Sequence, residues 1–143
     1  MKKKDIEYNL QCGLVQTLDK FLELKYWSRL EYLKYIVIPK IGRKPKSKND
    51  YTALKIGSDN KKMGYRSGVP DMTILYKLKN KDPNFLYFEF KASSGVLNAN
   101  QKLFKKDSEK SLGNNYYHVI KSKTNNQAEF TDNFLNVLSE TFQ

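Results

Sequence analysis

Cysteine is nearly absent: Cys12 is the only one in 143 residues. No intrachain disulfide framework can form, and a reducing, intracellular setting (cytoplasm or nucleus) is the expectation. Cys12 falls within a helical pattern, so a small packed residue is expected there rather than a nucleophile. Histidine is as scarce. With one histidine, His118, and one cysteine, a His/Cys zinc site cannot be assembled. His118 lies on a predicted strand and reads as a packed or surface residue. No apolar run is long enough to span a bilayer. The opening Met-Lys-Lys-Lys-Asp-Ile-Glu is basic but no apolar stretch follows, so no secretory signal is expected.

Negative charge is also in short supply. Lysine and arginine number 26 against 15 acidic residues, a net charge of +11. The excess is clustered at 2–4, in the 40–48 loop, and at 61–66, 77–81, 102–106 and 121–123. Many such charges are simply solvated surface. The imbalance nevertheless exceeds what solubility requires, and such a field attracts polyphosphate backbones. A membrane surface ranks lower, because no predicted helix combines a basic face with a broad apolar one. Hydrophobic residues make up 39% and aromatics 13%, so the chain can build a core, and its length fits one domain over 1–143.

Periodicity gives an α/β order. Residues 5–24 carry Ile6, Leu10, Leu14, Leu18, Phe21 and Leu22 at helical spacing. Residues 26–33 extend that helix or form a short second one, with Trp27 and Leu30 in the core. A strand over 34–38 ends at Pro39, and a short helix follows near 51–57. Residues 71–76 and 85–91 are rich in aromatic and β-branched residues and read as strands. A helix over 98–112 opens at Asn98 and stops before Gly113. A strand over 116–120 and a helix near 127–139 complete the chain.

The stretch 64–91 carries the chemistry. The segment between its two strands, KLKNKDPN, supplies turn residues. A hairpin folded between Asn80 and Lys81 sets Asp71 opposite Phe90, and so beside Glu89 and Lys91. Tyr87, Glu89 and Lys91 share one face; Leu86, Phe88 and Phe90 share the other and can be buried. A slip of one residue changes the face on which Asp71 falls. Two carboxylates and one lysine in one place are enough to hold a divalent metal and activate a water. Gly64 and Gly68 bracket the approach, and Pro70 can begin a strand without losing a needed donor. Asn98-Ala-Asn-Gln101 has capping-box spacing, with Gln101 at the third helical position.

The pattern Gly64-x-x-x-Gly68-Val69-Pro70-Asp71, then Glu89-Phe90-Lys91, Gly95-x-Leu97 and Gln101 resembles the virus-type replication-repair nuclease (VRR-NUC) domain. That family belongs to the PD-(D/E)xK nucleases. The resemblance implies a single restriction-endonuclease-like α/β domain, a central mixed β-sheet flanked by helices, of the stand-alone size found in viruses and phages. It implies Mg²⁺ or Mn²⁺ held by Asp71, Glu89 and the carbonyl of Phe90. It places Lys91 at the attacking water and Gln101 near the site. A first-helix carboxylate is also implied: Glu7, four residues before Gln11 on one helix face, with Asp5 as the substitute.

Arg66, Ser67 and Lys102 are candidate phosphate contacts, as are Arg43 and Lys44 of the 40–48 loop. The implied substrate is branched DNA, in particular a four-way junction, cut by a homodimer whose interface draws on the first helix and the aromatic segment 26–32. The alternatives are a flap or duplex DNA nuclease, a non-catalytic nucleic-acid-binding module, and an RNA-processing factor.

Overall fold

A computed structural model of the chain describes residues 3–38, 47–64 and 66–143. Arg43 and Lys44 lie outside the described residues. The element order is α1 (Lys3–Glu23), β1 (Leu30–Val37), α2 (Tyr51–Lys62), β2 (Met72–Leu78), β3 (Asn84–Phe90), α3 (Ala99–Leu112), β4 (Tyr117–Ile120) and α4 (Gln127–Phe142). The protein is α/β, with a four-stranded mixed sheet in the order β1-β2-β3-β4. The first three strands are antiparallel, and β4 runs parallel to β3, which requires the crossover through α3.

Strand alternation decides the layers. Met72, Ile74 and Tyr76 on β2 and Leu86, Phe88 and Phe90 on β3 face one side and are buried. Leu10, Leu14 and Leu18 of α1 and Phe130, Phe134 and Leu138 of α4 close over them in one cluster. The Phe88 and Phe134 rings lie 4.7 Å apart, and Phe90 and Phe130 5.7 Å. The other side of the sheet is covered by α3, whose Phe104 meets Tyr87 edge-on at 5.2 Å and Tyr117 at 6.0 Å.

The structure corrects four expectations. First, residues 26–33 are not helical. α1 ends in a six-residue cap in which Tyr26 N donates to Phe21 O and Lys25 N to Leu22 O. This is the Schellman pattern, and Lys25 takes the left-handed conformation (φ 52°) that glycine usually supplies. The accompanying apolar contact is present as well, with the Phe21 and Tyr26 rings 4.5 Å apart. β1 therefore starts at Leu30. Trp27 is buried as expected, and its Nε1 donates to Ser139 Oγ of α4. The bland core role holds for Trp27, while Tyr26 and Tyr32 remain exposed.

Second, the hairpin turns about Asn80, which adopts φ 61°, and Met72 pairs with Phe88. One further step along that register sets Asp71 level with Glu89 rather than Phe90. The difference is consequential: it sets Asp71 beside Glu89 at this end of the sheet, where Asp71 also borders the space between α1 and β1. Third, Cys12 is exposed. The inward stripe of α1 runs through Leu10, Leu14 and Leu18, and a residue two positions from Leu10 points to the far side of the helix. Fourth, α2 is longer than the expected 51–57, running on through Gly57 to Lys62, with Gly64 at φ 97° just beyond it.

His118 matches its expected packed role. Its ring stacks on Phe88 at 5.5 Å, and its Nε2 lies 3.0 Å from the Asn115 carbonyl. α3 begins and ends as expected: Asn98 and Gln101 form a reciprocal capping box, and Gly113 at φ 95° closes the far end.

Candidate active site

Asp71 stands just ahead of β2 and is fixed at both ends. Its backbone carbonyl accepts from Ile38 N at 3.1 Å, tying it to the end of β1. Its Oδ2 accepts from Phe90 N at 2.8 Å, tying it to β3. The approach to Asp71 turns at Gly68, whose φ of 87° disfavours any side chain. A Cβ there would lie 2.6 Å from the backbone carbon of Asn100. Asn100 in turn donates to Ser67 Oγ at 2.6 Å, so this turn is clamped to the first turn of α3. Gly68→Ala is therefore expected to cost about 1–3 kcal/mol of folding stability, read as a lower midpoint in denaturant. An unchanged midpoint would mean that the turn is not clamped in this way.

Glu89 is on β3, 2% exposed, beneath α3. Its Oε1 accepts from Gln101 Nε2 at 2.7 Å, and Lys91 Nζ lies 3.8 Å from the same oxygen. Gln101 Oε1 meanwhile accepts from Asn98 N. One glutamine thus caps α3, as its spacing predicted, and also holds the Glu89 carboxylate. The other carboxylate oxygen, Oε2, is buried and makes no hydrogen bond of standard geometry. Burial pushes the Glu89 carboxyl up to about 9, helped by the charge of Asp71 and a side-chain hydrogen bond with it; Lys91 and the backbone N–H of Asp71 pull the other way. A buried carboxylate beside a second one is eased by a shared proton or by a cation between them.

Lys91 extends β3 by donating its backbone N–H to Ile120 O at 3.0 Å. Its side chain is 12% exposed, so the ammonium is largely shielded. Glu7 reaches the same end of the sheet from α1, but its Oε1 accepts from Ala92 N at 3.2 Å. A Cβ on Gly95 would sit 3.0 Å from Ala92 O, 3.1 Å from Lys91 Cβ and 3.2 Å from Glu7 Oε1, so a side chain there would crowd these groups and require them to shift slightly. Among the described residues no group of three or more His, Cys, Asp or Glu side chains is arranged to hold a metal. The carboxylate pair is Asp71 and Glu89, with Glu7 held to the backbone beside it. Asp5 is exposed.

Arg66, Ser67 and Lys102 are all exposed. Arg66 Nη1 donates to Lys61 O at 2.7 Å, and Lys102 follows Gln101 on α3. Sequence reasoning missed Tyr117. It is buried, its hydroxyl has no partner, and burial followed by the charges of Glu89 and Asp71 pushes its phenol pKa up. The only signal was its place on a strand next to the one that carries Glu89.

The donor set fits a small hard cation. Mg²⁺ and Mn²⁺ prefer oxygen ligands, and sites that act on phosphates use one or two carboxylates and leave the remaining positions to water and substrate. The unpartnered Glu89 Oε2 beside the Asp71 carboxylate is the local observation that favours such an ion. Comparison of the chain with protein-family models, with curated proteins and with solved structures finds no match. Among the described residues no helix is long and apolar enough to cross a membrane.

Proposed function

We propose that this protein is a metal-dependent DNA endonuclease with a PD-(D/E)xK core of the VRR-NUC type. The observation that carries the reading is the buried Glu89 beside the half-buried Asp71 at one end of the hairpin, with Glu89 Oε2 making no hydrogen bond of standard geometry and Lys91 Nζ 3.8 Å from Oε1. A buried oxygen left unpaired costs about 1–3 kcal/mol, which a bound cation would offset. The sequence motif, the mixed sheet and the net charge of +11 all favour the same reading.

Asp71 and Glu89, with the carbonyl of Phe90, would hold Mg²⁺ or Mn²⁺. When bound, the ion supplies positive charge against the charge that develops on the scissile phosphate. Gln101 holds Glu89 in one rotamer through its 2.7 Å bond, and Phe90 N holds Asp71 through its 2.8 Å bond. Such preorganisation avoids reorientation at the moment of reaction. Lys91 orients the water for in-line attack and donates to a non-bridging phosphate oxygen. Arg66, Ser67 and Lys102, all exposed, grip the neighbouring phosphates. The substrate suggested by the resemblance is branched DNA, in particular a four-way junction. Such a junction has approximate two-fold symmetry and needs two cuts, so a C2 homodimer suits it.

A panel of labelled junction, flap, duplex and single-stranded DNA and RNA, incubated with Mg²⁺, Mn²⁺ or EDTA, tests the proposal. Cleavage of DNA with either metal and none in EDTA is the expected result. DNA binding without cleavage under every condition would leave the non-catalytic module as the better reading.

A further inference from the structure

Beside the carboxylate pair is a groove that the chemistry above does not use. On α1, Tyr8, Gln11, Cys12, Val15 and Gln16 fall at i, i+3, i+4, i+7 and i+8, which is one helical stripe. That stripe is distinct from the buried Leu10, Leu14 and Leu18. It faces Tyr35, Val37 and Ile38 at the edge strand β1. Between the two lies a cavity of about 520 Å³, and Asp71 forms part of its wall. The Tyr35 hydroxyl donates to Asp19 Oδ1 at 2.8 Å, linking strand and helix about a turn beyond Gln16. The groove is thus bridged beyond Gln16 and runs at the other end to a residue of the proposed active site.

Its chemistry is selective. Among the described residues no lysine or arginine lines it, and the one charged group there, Asp71, is negative on a chain of net charge +11. These described residues offer a phosphate no cation and offer a flat neutral ring both apolar and carboxamide surface. Tyr8 is 62% exposed and offers a stacking face. Gln11 and Gln16 make no side-chain hydrogen bond within the described residues, so each carboxamide keeps a donor and an acceptor for a base edge. The volume lies in the range of pockets that bury small ligands, about 300–1,000 Å³.

We infer that this groove takes an unpaired nucleobase of the strand whose phosphate lies at Asp71. The inference rests on the nuclease reading and deepens it. A paired base is stacked and enters only at the cost of being flipped out, so within the branched-DNA reading the groove favours substrates with an unpaired nucleotide beside the bond that is cut, such as a flap, over a fully paired four-way junction.

The test measures binding in EDTA, where metal-dependent cleavage is silent. The full chain is titrated with a labelled duplex carrying one unpaired thymidine, and with the same duplex carrying an abasic residue at that position. Wild type should bind the thymidine duplex about tenfold more tightly, the usual scale of one stacked base. Tyr8→Ala, at an exposed position, should bring the two within about twofold by removing that stack, with abasic binding unchanged. The thymidine duplex should also slow the reaction of Cys12 with a maleimide more than the abasic duplex does. Equal affinity of wild type for the two duplexes, or equal maleimide rates with both, would overturn the groove assignment. So would a Tyr8→Ala loss that is the same on both duplexes. The same preparations are then assayed with Mn²⁺. Cleavage without base discrimination sinks the groove alone, and base discrimination without cleavage sinks the nuclease reading alone.

Discussion

Single-turnover DNA hydrolysis by Asp71→Asn or Glu89→Gln is expected to fall by at least about two to three orders of magnitude, the scale of removing one preorganised electrostatic element. Affinity for the same DNA, measured in EDTA, should change little, because neither carboxylate contributes attraction to a polyanion. Lys91→Ala should lose about two orders of magnitude on the same scale. Its fold should survive. The other face of β3 carries Leu86, Phe88 and Phe90, and the Lys91 side chain contributes one ion pair at 3.8 Å. A variant that is badly destabilised yet retains the wild-type rate in its folded fraction would show that Lys91 is structural. Normal turnover by Asp71→Asn or Glu89→Gln would defeat the site assignment.

The second large effect is on stability against pH. The Glu89 carboxyl is raised from 4.5 to about 9 in the folded metal-free protein, chiefly by burial. A raised acid binds its proton more tightly folded than unfolded. Its contribution is therefore complete below the unfolded value and is lost as pH rises through the folded one. Within that window the loss approaches about 1.4 kcal/mol per pH unit. Between pH 6 and 9 the metal-free wild type should lose roughly 5 °C or more in Tm, at about 2–4 °C per kcal/mol for a chain of this size. Glu89→Gln should be nearly flat over the same range. A glutamine amide in place of Oε2 can donate to the Asp71 carboxylate and carries no charge. Parallel Tm curves for the two proteins would show that Glu89 is ionised throughout.

Much of this arrangement was legible in the residues because local signals and tertiary structure agree. Asn98 with Gln101, and Gly113, mark α3 by their own side-chain and backbone preferences. Leu10, Leu14 and Leu18 mark the buried face of α1 by spacing. Alternation separated Glu89 and Lys91 from Phe88 and Phe90. What was misread depends on residues that stand in for more familiar ones. Lys25 occupies a left-handed cap without a glycine, so the end of α1 and the start of β1 carried no usual signal. Asn80 can sit at the centre of the hairpin turn because asparagine tolerates a positive φ, and that moved the register by one residue. The remainder belongs to tertiary structure. Neither the 2.7 Å bond from Gln101 to Glu89, nor the burial of Tyr117, nor the unpartnered Oε2 is encoded within either local segment.

The central claim is that Asp71 and Glu89 form a divalent-cation site, and calorimetric titration of Mn²⁺ into the metal-free protein tests it most directly. The experiment is run near pH 7.5 in two buffers of different ionisation enthalpy, with wild type and Glu89→Gln. Wild type should bind the ion and release about one proton, since a carboxyl poised near 9 must give up its proton to serve as a ligand. Glu89→Gln should bind at least about tenfold more weakly, with the proton release gone. Equal binding by the two proteins, or binding by wild type with no proton released, would contradict the account.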